Sequence, residues 1–324
     1  MRVGVVFPGQ GSQCVGMGCD VAANSAAARA LFDRAASVLG YDLLALQSDG
    51  PEEKLRETEY SQPAIFTTNL ALYAAVGDGL APVVTAGHSF AELCSLVIAR
   101  SLAFEEALHI VSERGQAMQE AAQLARGGMS AILGLDAAQV REVIAGVRAQ
   151  DGGRVALANF NSPTQIVISG DLDAVVMAGQ AMLAAGAKRV VPLNVSGAWH
   201  SELMAPAVER LTAAVEASHF TLPAFDVIAN VDGRPYRDVA TIKSNLIRSV
   251  VDEVRWHDTA ETMLTYDVDS IVEFGASGVL SALFRRMAAS SPRKDDFPAA
   301  SVVSDYADVE KLRRSVEAPA GAKA

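Results

Sequence analysis

With 324 residues, half of them hydrophobic and a fifth charged, the chain has room for one large domain or a large domain carrying a smaller one. Its net charge of −11 speaks against nucleic acid as a partner, and no charge-free run of about 18 apolar residues is present to span a membrane. Cys14, Cys19 and Cys94 are an odd number with no zinc-like spacing, which fits a reduced, cytoplasmic protein with neither a disulfide framework nor a metal site.

The first predicted element is Val3–Phe7, too short an apolar run for a secretory signal and better suited to a buried strand. Phe7-Pro8-Gly9-Gln10-Gly11-Ser12-Gln13 follows at that strand's C-terminal edge, where α/β folds place ligands. Glycines on both sides of Gln10 let its backbone approach another group closely. Phosphate-loop patterns fail, because Cys14 stands where a third glycine is wanted and no Gly-Lys-Ser/Thr follows. Taken alone, the stretch reads as a tight turn without a ligand.

Helical patterns cover Ala26–Leu39, 63–80 and Phe104–Leu124, with a strand predicted over 83–87. The middle of the chain then gives a strand over 129–135, a helix over Ala137–Ala149, strands over 155–159 and 165–169, a helix over Leu172–Ala184 and a strand over 188–193. That β-α-β-β-α-β order is the ferredoxin-like arrangement. A helix is predicted over 200–218 and a further strand over Ser270–Phe274. The expected fold is therefore α/β: a large α/β-hydrolase-like domain (1–127 and 196–316) with an inserted ferredoxin-like subdomain (128–195) and a frayed tail over 317–324.

Val83-Val84-Thr85-Ala86-Gly87-His88-Ser89-Phe90-Ala91 reads as strand, sharp turn and helix start. In a nucleophile elbow, small residues two before and two after the serine let strand and helix backbones come close. The usual pattern is Gly-x-Ser-x-Gly, so Ala91 departs from it by one methyl. The elbow puts the Ser89 hydroxyl at a helix N-terminus and makes the Phe90 N–H an oxyanion donor. Ser89 as a simple helix cap is the competing interpretation at this point.

A base for Ser89 would have to be one of five histidines. His88 adjoins Ser89 and on an elbow points away from it. His109 falls in a helical apolar pattern and is expected in the core or half-exposed. His219 ends a helix, and His257 sits at a helix start. His200, in Val195-Ser196-Gly197-Ala198-Trp199-His200-Ser201, lies between a strand and a helix, the position best suited to a base.

With these elements in order, the chain resembles the malonyl-CoA:acyl carrier protein transacylase family, including polyketide synthase acyltransferases. Phe7-Pro8-Gly9-Gln10-Gly11-Ser12-Gln13, Ser61-Gln62-Pro63-Ala64, Gly87-His88-Ser89, Arg114-Gly115-Gln116-Ala117-Met118-Gln119, Asn159-Phe160-Asn161-Ser162-Pro163, Trp199-His200-Ser201 and Val254-Arg255-Trp256 carry the resemblance. It implies Ser89 as nucleophile, His200 as general base, and oxyanion donors from the backbone of Gln10 and Phe90. It implies that Arg114, which by itself would read as a solvated helix residue, holds the free carboxylate of a malonyl-type group, with Gln62 fixing its guanidinium. It also implies that a backbone carbonyl near Ser249 orients His200, with Asn159 in a supporting place. Coenzyme A thioesters are then substrates, no cofactor is needed, and the acceptor is the phosphopantetheine arm of an acyl carrier protein. That carrier is ordinarily acidic, so docking would need a local basic patch such as Lys188-Arg189 or Arg285-Arg286.

Phe90-Ala91 beside the nucleophile, Trp199 before His200, Ser249 where many relatives carry Gln, and Gly275-Ala276-Ser277-Gly278 in place of a Gly-Pro-Gly turn depart from the family pattern. Trp199 and Ala91 are placed to line the acyl pocket, and a bulky Trp disfavours α-branched groups. Two alternatives accompany the transferase: a hydrolase that edits acyl carrier proteins on the same scaffold, and a silent partner of a synthase.

Overall fold

A continuous apolar run buried on both faces is the mark of a central parallel strand, and Val3–Phe7 is buried at all five positions. The computed structural model of the protein describes residues 2–150, 153–290 and 297–317. Among these, the strands in chain order are β1 Val3–Phe7, β2 Pro82–Gly87, β3 Gly127–Leu133, β4 Val155–Ser162, β5 Gln165–Asp171, β6 Arg189–Pro192, β7 Asp226–Val227, β8 Ser270–Phe274 and β9 Ala299–Val303. The chain divides into two units. The first is Met1–Ser112, His219–Ile228 and Glu261–Ala324, and the second is Glu113–Ser218 and Ala229–Ala260.

The first unit is built on a parallel five-stranded sheet of order β7-β2-β1-β8-β9. Register pairs Phe7 with Gly87 and Val6 with Glu273, so β1, β2 and β8 all finish at one edge. The helix Ala26–Leu39 starts where the Ser25 hydroxyl accepts from Ala28 N and stops at Gly40, whose φ of 76° suits glycine. The helix expected over 63–80 runs over Thr58–Val76 instead. It begins five residues before Pro63 and ends at Gly77, which has φ 78°; Pro63 thus lies in the second turn, where its ring removes one i→i−4 bond.

The second unit contains the antiparallel sheet β4-β5-β3-β6. The helices Ala137–Ala149 and Leu172–Ala184 complete the ferredoxin-like arrangement, around a core that includes Ile132, Val140, Ile144, Ile166, Ile168, Ala178 and Met182. A capping box starts the first of these helices: Asp136 accepts from Gln139 N at 2.9 Å and Asp136 N donates to the Gln139 side chain at 3.0 Å. The unit holds the 128–195 segment and extends well past it on both sides. Val254 bridges in parallel to Asn159 on β4.

The continuous helix expected over 200–218 is divided into a 3-10 stretch, Glu202–Ala207, and an α-helix, Val208–Ala217. Pro206 lies inside the first piece and has no N–H for an α-helical bond. Of the tail expected over 317–324, Glu317 closes the helix Tyr306–Glu317 and the rest lies outside the described residues. Among the described residues no helix is long and apolar enough to cross a membrane.

Candidate active site

In the first unit, the turns after β1 and β2 emerge side by side and are locked together. His88 N donates to Phe7 O at 2.9 Å. A Cβ on Gly9 would fall 2.6 Å from His88 O, so only glycine lets the β1 turn lie this close. Asn69 donates to Pro8 O at 3.0 Å, and a Cβ on Gly275, just past β8, would fall 2.3 Å from Pro8 Cγ. Gln10 is anchored through its own side chain, which donates to Thr58 Oγ1 at 3.0 Å.

Ser89 has φ 56°, in the left-handed region that a residue with a side chain seldom adopts. It opens a 3-10 turn, Ser89–Ala91, which leads into the helix Glu92–Ile98. The cap position of that turn belongs to His88 and that of the helix to Ala91, so Ser89 does not occupy the N-cap that the competing interpretation requires. Thr85 on β2 donates to Ser95 Oγ at 3.0 Å, holding strand and helix together across the elbow. Phe90 and Ala91 are buried. The leading N–H groups of a helical turn have no acceptor within it, which suits the Phe90 N–H to meet an anion. Gln62 is fully buried on Thr58–Val76.

In the second unit, His200 is 4% exposed and also left-handed, at φ 58°. Its Nδ1 lies 2.8 Å from Ser249 O and 3.0 Å from Asp252 O. Carbonyl oxygens can only accept, so Nδ1 carries a proton, and in the neutral ring Nε2 keeps its lone pair. This is the tautomer a general base needs. Ser249 supplies its carbonyl from the C-terminus of the helix Val239–Arg248, where Ser249 N donates to Asn245 O at 2.9 Å and Ser249 Oγ to Leu246 O at 2.7 Å. Asp252, which sequence reasoning missed, supplies the second carbonyl; a backbone group leaves no signature in residue type.

Trp199 is 5% exposed, and the far edge of its ring covers Gly197, where an added Cβ would meet Cζ3 and Cη2 at 2.6 Å and Ala122 Cβ at 2.8 Å. Arg114, on the helix Phe104–Leu124, is 2% exposed, which corrects its interpretation as a solvated residue. A guanidinium stays charged when buried and must be met by acceptors. Asn159 is buried on β4, at the bridge to Val254.

The other histidines have other places. His109 is exposed, not in the core or half-exposed, because it lies on the outer face of its helix. His219 is exposed just past Val208–Ala217, its N–H donating to Glu106 at 2.8 Å. His257, at the start of the helix Trp256–Leu264, packs edge-on to Phe160 at 5.0 Å between ring centres. Burial pushes the Cys94 thiol up, out of reach of thiolate chemistry, and pushes the Glu273 carboxyl up although Ser281 N and Leu280 N donate to it. No group of three or more His, Cys, Asp or Glu among the described residues gathers as a metal site. The basic pairs Lys188-Arg189 and Arg285-Arg286 are exposed.

Comparison with known proteins gives a consistent result. Residues 5–318 match the acyl transferase domain family. The malonyl CoA-acyl carrier protein transacylase of Salmonella typhimurium is 41% identical over 284 residues, 87% of this chain and 91% of that one. A solved acyl carrier protein S-malonyltransferase from Vibrio cholerae superposes with a TM-score of 0.88 at 39% identity, covering 96% of this chain and 100% of the other. A malonyl-transacylase solved in complex with its type II PKS acyl-carrier protein superposes with a TM-score of 0.90 at 37% identity, covering 97% and 100%.

Proposed function

The chain belongs to the acyl transferase domain family, and from that premise we propose that it moves a malonyl-type group from coenzyme A to the phosphopantetheine thiol of an acyl carrier protein through an acyl-enzyme on Ser89. The elbow carries this reading: Ser89 at φ 56° opens the helical turn that follows β2. The transacylase names of the similar proteins support the substrate and the carrier.

The chemistry follows from the groups. His200 Nε2 takes the hydroxyl proton as Ser89 Oγ attacks the thioester carbonyl. The N–H groups of Gln10 and Phe90 stabilise the oxyanion, each lowering the barrier by about 3 kcal/mol. The C–S bond breaks, and the proton on His200 goes to the departing coenzyme A thiolate. The carrier's thiol then gives its proton to His200 and attacks the Ser89 ester, restoring the hydroxyl. Arg114 grips the free carboxylate with two parallel hydrogen bonds, and Gln62 steadies the guanidinium. Trp199 and Ala91 line the acyl group and favour malonyl over methylmalonyl. Asn159 supports the turn that orients His200. The setting is the reduced cytoplasm, in fatty acid or polyketide synthesis, and coenzyme A is a substrate, not a resident cofactor.

Incubation with radiolabelled malonyl-CoA tests this reading. Label should stay on the enzyme, move to an added holo carrier protein, and be absent from Ser89→Ala. Rapid release as free malonate would indicate an editing hydrolase, and no labelling a silent partner.

A further inference from the structure

A cavity of about 570 Å³ is lined by Val251, Asp252 and Glu253, from the turn that presents two carbonyls to His200, together with Arg141, Arg148 and Arg248. What braces the turn on this side is charge. Arg141, on the ferredoxin-like helix Ala137–Ala149, donates from Nη2 to both Glu253 oxygens, at 2.9 and 2.7 Å. The Glu253 side chain is 19% exposed, and Arg255 Nε stands 3.7 Å from it. Arg248 pairs with Asp252 within the turn. The next residue, Val254, is tied to β4 by Val254 N to Ala158 O and Phe160 N to Val254 O, both 2.8 Å.

Glu253 is bonded directly to Asp252, whose carbonyl is one of the two acceptors of His200 Nδ1. Any drift of the Glu253 backbone moves that acceptor. We propose that Arg141 and Glu253 are positioning residues for the transfer reaction: their ion pair makes the ferredoxin-like element the brace that holds His200 in its Nδ1–H form. The proposal rests on His200 being the base. A partly exposed pair is worth little in stability, and the Val254 bridge remains when the pair is broken. The expected result is therefore a weakened site and not a dead one.

The test uses the full chain with Glu253→Gln, Arg141→Ala, the double variant and His200→Ala. Each single brace variant should lower kcat for malonyl transfer about tenfold, the scale on which groups that orient a functional imidazole act, with KM for malonyl-CoA unchanged. The double variant should lose no more than either single one, since both remove one interaction. Imidazole ¹⁵N spectra of histidine-labelled protein should show His200 as the Nδ1–H form in the parent and a mixture in the variants. Wild-type kcat in the single variants, or a lower kcat with the tautomer unchanged, overturns the proposal. Normal transfer by His200→Ala overturns the base assignment instead, and the tautomer measurement, which needs no turnover, tells the two failures apart.

Discussion

A Cβ placed on Gly87 would lie 1.9 Å from the carbonyl oxygen of Ala91, closer than any real contact allows. The elbow that carries Ser89 therefore depends on one missing side chain at its start. It does not depend on a second at its end: Ala91 is fully buried and has ordinary helical angles, φ −67° and ψ −6°.

These two positions should respond in opposite ways. Gly87→Ala should destabilise the protein by several kcal/mol or prevent soluble expression, because the obstructing atoms are backbone and cannot rotate away. Ala91→Gly should cost only about 1 kcal/mol. Thermal unfolding of the two variants checks the contrast; equal losses would show that the elbow relaxes more easily than its geometry indicates.

Arg114→Ala should lower kcat/KM for malonyl transfer by about 2–5 kcal/mol, the cost of truncating one side of a buried charge contact. Acetyl loading should fall much less, so relative preference moves toward acetyl. Arg114→Lys should not restore the parent, since an ammonium cannot offer two parallel donors. Intact-mass measurement after exposure to malonyl-CoA and acetyl-CoA in competition reads the ratio. An unchanged malonyl preference would remove Arg114 from the acyl site.

Trp199 and Gly197 form a coupled pair, because the ring edge fills the space a side chain at 197 would need. Gly197→Ala should force the indole to shift, at about 1–3 kcal/mol of stability, and change acyl selectivity without altering Trp199 itself. The parent should prefer malonyl to methylmalonyl, and Trp199→Phe should relax that discrimination by at most about 1–3 kcal/mol. Equal loading of the two acyl groups by the parent at equal concentration would contradict the assignment.

Asp171 accepts from Arg154 N and Nη2, each at 2.8 Å, and from Nε at 3.1 Å, and the guanidinium holds its carboxyl below the usual range. The contribution should be fully present above the unfolded aspartate value near 3.9 and fade as pH falls through the depressed folded value. Because the pair is partly exposed, its size should be within about 1 kcal/mol. Asp171→Asn should therefore unfold more easily than the parent at neutral pH, with the gap closing on acidification. A gap that persists at strongly acidic pH would assign the effect to packing.

Much of the architecture is written in local pattern. Val3–Phe7 is a short apolar run that reads as a buried strand, Ser270–Phe274 is rich in strand formers, and the Ser25 cap marks the start of Ala26–Leu39. The strand Asp226–Val227 was not legible, because two residues carry no period, and Ala299–Val303 was hidden by its partly exposed faces. Among the candidate residues, Ser89 and His200 stand out because elbows and strand ends constrain residue type. The burial of Arg114 and the carbonyl of Asp252 did not: one depends on how a helix face is covered, the other on a group that every residue possesses.

Both Ser89 and His200 hold left-handed backbone angles, φ 56° and 58°, at which glycine would rest without strain. Such strain costs on the order of 1 kcal/mol at each position. Under the proposed mechanism, heat resistance and turnover thus pull these two positions in opposite directions. A library ranked by melting temperature would promote glycine at either place and, if Ser89 and His200 act as proposed, enrich inactive clones, so any thermostabilisation campaign on this scaffold should hold both positions fixed or select on acyl transfer.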